Sequence, residues 1–237
     1  MTGTIINTGA IIVGGLCGHL FGKLLQDRHQ ETLMMACGVG TLFIGMSGAL
    51  NYMLHHNLFP NGGAMLVAAC LALGGLIGEI LNIEHLFERF GEWLKHKSGN
   101  SKDPQFVNGF LTASLTVCIG AMAIVGAIQD GISGDWSTLG AKSILDLIII
   151  MVTTCSLGKG CIFSAIPVFI WEGSLTLLAT AIKPMMTDGA MGYLSLVGNV
   201  LIFCVGVNLI WGKKIRVANL LPAVLLAVVS SYLPISF

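Results

Sequence analysis

Apolar runs of about twenty residues recur along the whole chain, and polar residues gather in the gaps between them. Eight segments follow from this pattern, at about 4–22, 33–54, 63–83, 106–128, 143–158, 160–182, 189–211 and 217–236. About 20 apolar residues let an α-helix cross the hydrocarbon of a bilayer. An open sheet cannot satisfy its backbone in lipid. The pattern therefore predicts an all-α, polytopic transmembrane helical bundle of about eight spans, one integral membrane domain over residues 1–237. The fifth and sixth segments form one run from Ser143 to Ile182, interrupted by Gly158-Lys159-Gly160 and Pro167. That run reads either as two spans or as broken helices.

The third connection has a different period. Ile83, Leu86, Phe87, Phe90, Trp93 and Leu94 recur at helical spacing, with Glu84, Glu88, Arg89, Glu92 and Lys95 on the other side. This predicts an amphipathic helix over about 83–97, lying in the cytoplasmic interface with Trp93 as its anchor. A partner-binding helix is the alternative.

Positive charge orients the spans. With the N-terminus outside, the connections facing the cytoplasm hold Lys23, Arg28, Arg89, Lys95, Lys97, Lys102, Lys159, Lys213, Lys214 and Arg216. The outer connections hold only Lys142 and Lys183. This positive-inside bias predicts eight spans with both termini outside, or seven if the fifth and sixth segments do not both cross. No Lys or Arg precedes the first apolar run, which reads as a retained span rather than a cleaved signal peptide.

Composition narrows the class. Hydrophobic residues make up 54% of the chain and charged residues only 10%, against about 25% charged in a soluble domain. The mean hydropathy is +0.84. The formal net charge of zero offers no basic surface for nucleic acid. The seven cysteines are scattered in apolar runs with no C-x-x-C pair. They read as small buried hydrophobes rather than disulfides or zinc ligands. No metal or cofactor site is predicted: His55-His56 lacks a third ligand, and DGISGD at 130–135 lacks the spacing of a calcium loop.

Two internal echoes suggest repetition. IIVGGLCGHLF (11–21) and LALGGLIGEIL (71–81) share GGLxG, with His19 matched to Glu79. LFIGMSGAL (42–50) and VCIGAMAIV (117–125) follow them in the same order, sharing Ile-Gly. Together they predict a duplicated helical hairpin. Gly14, Gly18 and Gly22 fall on one face of the first span, and Gly74 and Gly78 on one face of the third. Such faces let helices pack backbone to backbone, within one chain or across a homo-oligomer interface.

Polar residues inside apolar sequence mark the candidate chemistry, because a carboxylate in a bilayer is costly and usually functional. Asp130, Asp146 and Glu172 are the principal candidates. AIVGAIQDG (123–131) and AIPVFIWEG (165–173) both place an acid before a glycine where a helix is easily interrupted. Carboxylates beside broken helices are how transporters hold ions and protons. The other reading of Asp130 is an outer helix end, and that of Glu172 a structural buried acid. Asp146 is four residues after Lys142, so that pair can satisfy itself on one helix face. Glu79 either joins the site or snorkels to the interface. Gln129, beside Asp130, belongs with the candidate ion-binding residues. Asn7, Asn199 and Asn208 read as interhelical hydrogen-bond glue or as substrate-lining groups. Gly131-Ile132-Ser133-Gly134 matches the GxSG of intramembrane rhomboid proteases, but such an enzyme takes its base histidine from a later helix. All six histidines precede Ser133. A Ser–Lys arrangement through Lys142 is the remaining enzymatic option, and the chain is read as a non-enzyme.

Several longer motifs resemble one family. GTIINTGAIIVGG (3–15), LGGLIGE (73–79), GAMAIVGAIQDGISGD (120–135), AKSILDL (141–147), SLGKG (156–160), SAIPVF (164–169) and NLLPAVLLA (219–227) carry the resemblance over nearly the whole length. They are similar to the bacterial membrane-protein family known as domain of unknown function 554, the YqgA-like proteins. The resemblance implies an integral protein of the bacterial inner membrane. It implies that the acids of GAIQDGISGD, KSILDL and LIGE are family-like. It implies glutamine where this chain has Glu172, which would weaken a scheme needing a charge there. The combined expectation is a multi-pass transporter of a small solute or ion, cation- or proton-coupled through its carboxylates. A non-transporting membrane scaffold or accessory protein is the alternative.

Overall fold

The computed structural model describes residues 1–22, 24, 26–54, 63–118, 121–185 and 187–232. Lys23, His55, His56, Ile119 and Gly120 lie outside the described residues. All regular elements among the described residues are helical. They are α1 (Thr2–Gly22), α2 (Asp27–Met53), α3 (Ala64–Leu81), α4 (Ile83–Lys97), α5 (Phe106–Cys118) and α6 (Ala121–Ser133). Then come α7 (Ser137–Leu157), α8 (Ala165–Leu177), α9 (Ala179–Ile182), α10 (Asp188–Trp211) and α11 (Pro222–Ser230). Short 3-10 helices occupy Lys159–Ser164, Lys183–Met185 and Val217–Leu220.

Among the described residues six stretches are long and apolar enough to cross a bilayer: α1, Met34–Met53, α3, α7, Lys159–Leu177 and α10. A seventh is added if the pair α5 and α6, bent by 71°, counts as one span. Val217–Ser230 is apolar but falls among the shorter helices. The run 143–182, open in the sequence between two spans and broken helices, holds two of these stretches, and the sharp bend lies in the fourth segment. The helix of the fifth segment starts earlier than the pattern's 143. Helix α7 begins at Ser137, where the Asp135 carboxylate accepts the Ser137 N–H at 3.0 Å. It therefore takes in Lys142, which the charge pattern had assigned to an outer connection. Gly158 ends α7 at φ 81°, a conformation costly for any residue with a Cβ.

The chain forms two compact units. Unit 1 holds Met1–Cys37, Phe87–Cys118 and Met122–Ile182. Its centre is the pair α1 and α7. A Cβ added at Gly14 would stand 3.1 Å from the Leu147 carbonyl carbon, at Gly18 3.0 Å from that of Met151, and at Gly22 3.1 Å from the Cys155 Cα. Both helices thus advance four residues per contact in the same direction, in parallel and backbone to backbone. This is packing within one chain, the first of the two uses predicted for the glycine face. Helix α5 starts beside the C-terminal end of α7, with the Phe106 backbone against Gly160. Helix α6 passes the N-terminal end of α7 at mid-length, with Gly126 against Leu139. The bent pair therefore travels the same depth as α7, about 31 Å at 1.5 Å per residue.

Phe87, Phe90 and Leu94 of α4 pack against Phe106, Phe110 and Leu111 of α5. The amphipathic helix is present over the predicted residues. Of its apolar residues Phe87, Phe90 and Leu94 pack on protein, while Leu86 and Trp93 are exposed.

Unit 2 holds Gly38–Leu86, Ile119–Ala121 and Lys183–Phe237. Helices α2 and α10 run antiparallel. Gly38 meets Leu209 and Ile210, and Gly45 meets Asn199 and Phe203. Gly74 of α3 packs on Ala223, Gly75 on Leu220 and Gly78 on Asn219. Leu66, Cys70, Tyr193, Leu196 and Ala227 form the core of this unit.

Candidate functional site

Four side chains from three helices meet inside unit 1. Asn7 comes from α1, Lys142 and Asp146 from α7, and Glu172 from α8. The Lys142 ammonium pairs with Asp146 Oδ2 one turn along α7. It also lies 3.5 Å from Glu172 Oε1. The Asn7 amide donates to the same Glu172 oxygen at 2.8 Å. All four are buried: Asn7 is 0% exposed, Glu172 1%, Asp146 4% and Lys142 6%. Below them the hydroxyls of Thr4 and Thr176 share a hydrogen bond at 3.3 Å, and Thr176 donates to the Glu172 carbonyl at 2.9 Å.

The cluster is unbalanced. Two carboxylates face one ammonium, which leaves one negative charge when all are ionised. Glu172 Oε2 and Asn7 Oδ1 have no hydrogen-bond partner. A buried acceptor left unpaired costs about 1–3 kcal/mol, more if charged. The cluster is thus chemically suited to take one proton or one monovalent cation on its free oxygens. Among the described residues there is no group of His, Cys, Asp and Glu side chains arranged to hold a metal ion.

The remaining candidates are placed separately. Asp130 is buried, and its Oδ2 accepts the Gly3 N–H at 2.9 Å and lies 2.8 Å from the Met1 amino nitrogen. It binds the start of α1, one turn before Asn7. Gln129 Oε1 accepts the Thr138 hydroxyl at 2.7 Å. The neighbouring Asp135 is held below the usual carboxylate range by its hydrogen bond from the Ser137 backbone.

In unit 2, Glu79 pairs with Arg216 and accepts the Asn219 amide at 2.6 Å. Asn219 Oδ1 in turn accepts the Glu84 N–H at 2.7 Å, and Lys213 pairs with Glu84 at 2.7 Å. These contacts tie the end of α3 to the 3-10 helix at 217–220. Asn208 folds the turn after α10: its Oδ1 accepts the N–H groups of Lys214 and Ile215, both at 2.9 Å. Asn199 donates to the Ser195 carbonyl at 2.7 Å and fills the space beside Gly48. Both lie on α10: Asn208 orders the turn that follows it, and Asn199 packs across onto α2.

Residues 2–232 match the family described as "Protein of unknown function (DUF554)". The chain belongs to this family. Two relatives agree with that assignment. The chain is 32% identical over 226 residues to "Uncharacterized membrane protein YdfK" of Bacillus subtilis, covering 95% of this chain and 93% of the relative. It is 31% identical over 229 residues to "Uncharacterized protein YqgA" of Escherichia coli, covering 95% and 94%. No solved structure matches. The apolar helices, together with a relative named as a membrane protein, fit a polytopic membrane protein.

In this DUF554 chain no base among the described residues is bonded to Ser133 of the GxSG motif. The Ser133 hydroxyl donates to the Gln129 carbonyl at 2.8 Å. Lys142 is engaged by Asp146 and Glu172. His19 stands sixteen residues from Gly3, so about 24 Å along α1 from the end that binds Asp130.

The sequence pairs Lys142 with Asp146, or with Ser133 as a Ser–Lys option, and does not link it to Glu172. Its link to Glu172 spans 30 positions and has no local signature. The signal that was available is its place between Leu139 and Ile144, where a lysine at helical spacing from Asp146 marks an interior position. Thr4, Thr176 and Thr154 were missed because threonine inside apolar sequence is common and carries no sign of its own.

Proposed function

We propose that unit 1 is the working part of a small-solute or ion transporter, coupled to a proton or monovalent cation through Asp146 and Glu172. One observation carries this reading: a buried cluster of two carboxylates and one ammonium, with Glu172 Oε2 and Asn7 Oδ1 unpartnered. A purely structural cluster gains nothing from a surplus charge or from free acceptors. A site that alternately holds and releases one positive charge needs both. Asp130, bound to the start of α1, is a positioning residue in this scheme. The chemistry is binding and release, without a catalytic nucleophile.

The test uses purified protein in vesicles carrying an internal pH-sensitive dye. An imposed sodium or potassium gradient should drive proton movement in the wild type. Asp146→Asn should abolish it while leaving the protein folded and inserted. A folded Asp146→Asn protein with wild-type fluxes would remove the main support for the reading.

The burial of all four groups favours a second reading, a non-transporting scaffold or accessory protein in which the cluster only locks α1, α7 and α8. In that case neutral substitutions should lower stability and change no flux.

The same proposal includes eight spans in the bacterial inner membrane, both termini outside, and a duplicated architecture. Support for duplication comes from equivalent local packing. Gly15 of one GGLxG helix rests on Ile162 in a 3-10 helix, and Gly75 of the other rests on Leu220 in a 3-10 helix. Each 3-10 helix follows a long helix capped by a glycine of positive φ, Gly158 at 81° and Gly212 at 75°. Lysine follows each cap, as Lys159 and Lys213.

A further inference from the structure

Unit 1 contains a cavity of about 330 Å³ at the C-terminal ends of α1 and α7. His19, Asp103, Gln105, Thr154, Ser156 and Gly158 are among its lining residues. It has room for about ten waters at the ~30 Å³ each occupies in the liquid. Thr154 is 2% exposed, and its hydroxyl oxygen has no hydrogen-bond partner. Asp103 Oδ1 accepts the Gln105 N–H at 3.0 Å, which fixes the carboxylate at the rim. Its Oδ2 lies 3.5 Å from where a Cβ on Gly158 would stand. Among the described residues the lining includes a carboxylate and hydroxyls but no lysine or arginine. Such a lining suits a small hydrated cation.

The cavity and the carboxylate cluster share two parallel helices. On α7, Asp146, Ile150 and Thr154 are spaced four residues apart, with Asp146 in the cluster and Thr154 in the cavity. On α1, Asn7, Ile11, Gly15 and His19 repeat the same spacing. On α8, Val168 precedes Glu172 by one turn on the side leading back to Gly158. Ile11, Ile150 and Val168 are each 0% exposed. Cluster and cavity are therefore about 12 Å apart along α7, with one apolar residue from each helix set between them.

We infer that this cavity is a water-filled vestibule that presents a small hydrated monovalent cation to the Asp146–Glu172 cluster, with Ile11, Ile150 and Val168 as the closed apolar gate. The inference rests on the transport reading above. Asp103 at the rim supplies cation selection, and Thr154 supplies the innermost ligand before the gate.

The test uses the full chain with its seven cysteines replaced, in membrane vesicles of both orientations. In the Thr154→Cys protein, a cationic trimethylammonium thiosulfonate should react at least about tenfold faster than an anionic sulfonate reagent, because a cleft of one sign concentrates counter-ions. Reaction should come only from the face that carries residues 98–105. Asp103→Asn should bring the two rates together, and Ile150→Cys should remain unmodified. Ser156→Cys serves as a second reporter in the same cavity if Thr154→Cys does not insert. Equal rates for the two reagents, or Ile150→Cys reacting as fast as Thr154→Cys, would overturn the vestibule. Labelling does not depend on flux, so the two ideas fail separately. Flux lost in Asp146→Asn without selective labelling sinks the vestibule alone. Selective labelling with no cation-driven flux sinks the transport reading and leaves a cation-binding pocket.

Discussion

Neutralising Lys142 and neutralising Glu172 should have opposite consequences. Lys142→Met leaves two carboxylates buried without their ammonium, and breaking a buried pair in this way costs about 3–5 kcal/mol. The expected result is a large loss of thermal stability in detergent. Joining Lys142→Met to Asp146→Asn should recover most of that loss. Simple addition of the two effects would show that Lys142 and Asp146 act independently. Glu172→Gln removes the surplus charge and keeps an oxygen for the Asn7 amide. It should insert normally, retain stability to within about 1 kcal/mol, and lose cation-linked flux. A fall in stability as large as that of Lys142→Met would count for the scaffold reading. The pair Lys142–Asp146 was legible in the sequence because i,i+4 neighbours share a helix face. Glu172 was legible as a costly acid in apolar surroundings. Their meeting was not legible, because it depends on the approach of α8 to α7, which no local spacing encodes.

The glycine stripe of α1 decides how closely that helix can lie on α7. A Cβ at Gly18 would stand 2.9 Å from the Thr154 Cβ, with Met151 backbone closer still. Gly18→Leu should therefore lower the melting temperature without changing the size of the detergent-solubilised particle. A smaller particle of unchanged stability would show that the face joins subunits instead. Gly9 is the control: nothing lies within 4 Å of its added Cβ. Gly9→Ala should be neutral or stabilising by up to about 1 kcal/mol, the helix-propensity difference. The tie between α3 and residues 217–220 gives a second contrast. Asn219 is 2% exposed and bonds both Glu79 and Glu84. Asn219→Ala should cost about 1–3 kcal/mol for the groups it strands. Arg216→Ala, at an exposed ion pair, should cost at most about 1 kcal/mol. Equal melting-temperature losses would contradict this ranking. Helices were legible wherever apolar length was unbroken. The bend between α5 and α6 was not, since residues 106–133 contain no proline. The early start of α7 was hidden by Lys142, whose charge reads as a loop until its two partners are known.

The bent pair α5–α6 matters for the course of the whole chain. Between Ser101 and Thr187 lie that pair, α7 and the stretch Lys159–Leu177. If the pair crosses, single cysteines at Ser101 and Thr187 should react with an impermeant reagent from opposite faces. Reaction from the same face would make the pair re-entrant. The depth it shares with α7 argues for crossing. The general class, an all-helical membrane protein, was readable from composition and apolar length alone. The division into two units was not, because each is assembled from separated parts of the chain. That interleaving has a consequence for synthesis. Helices α2 and α3 leave the ribosome roughly 120–160 residues ahead of α10, which at ~5–20 residues per second is a delay of roughly 6–32 s. Unit 1 has all its helices by Ile182, while unit 2 is still waiting for its second half. During that interval Glu79 and Glu84 stand without Arg216, Asn219 and Lys213. Whatever shelters them in the nascent protein is a temporary substitute for a part of the chain not yet made.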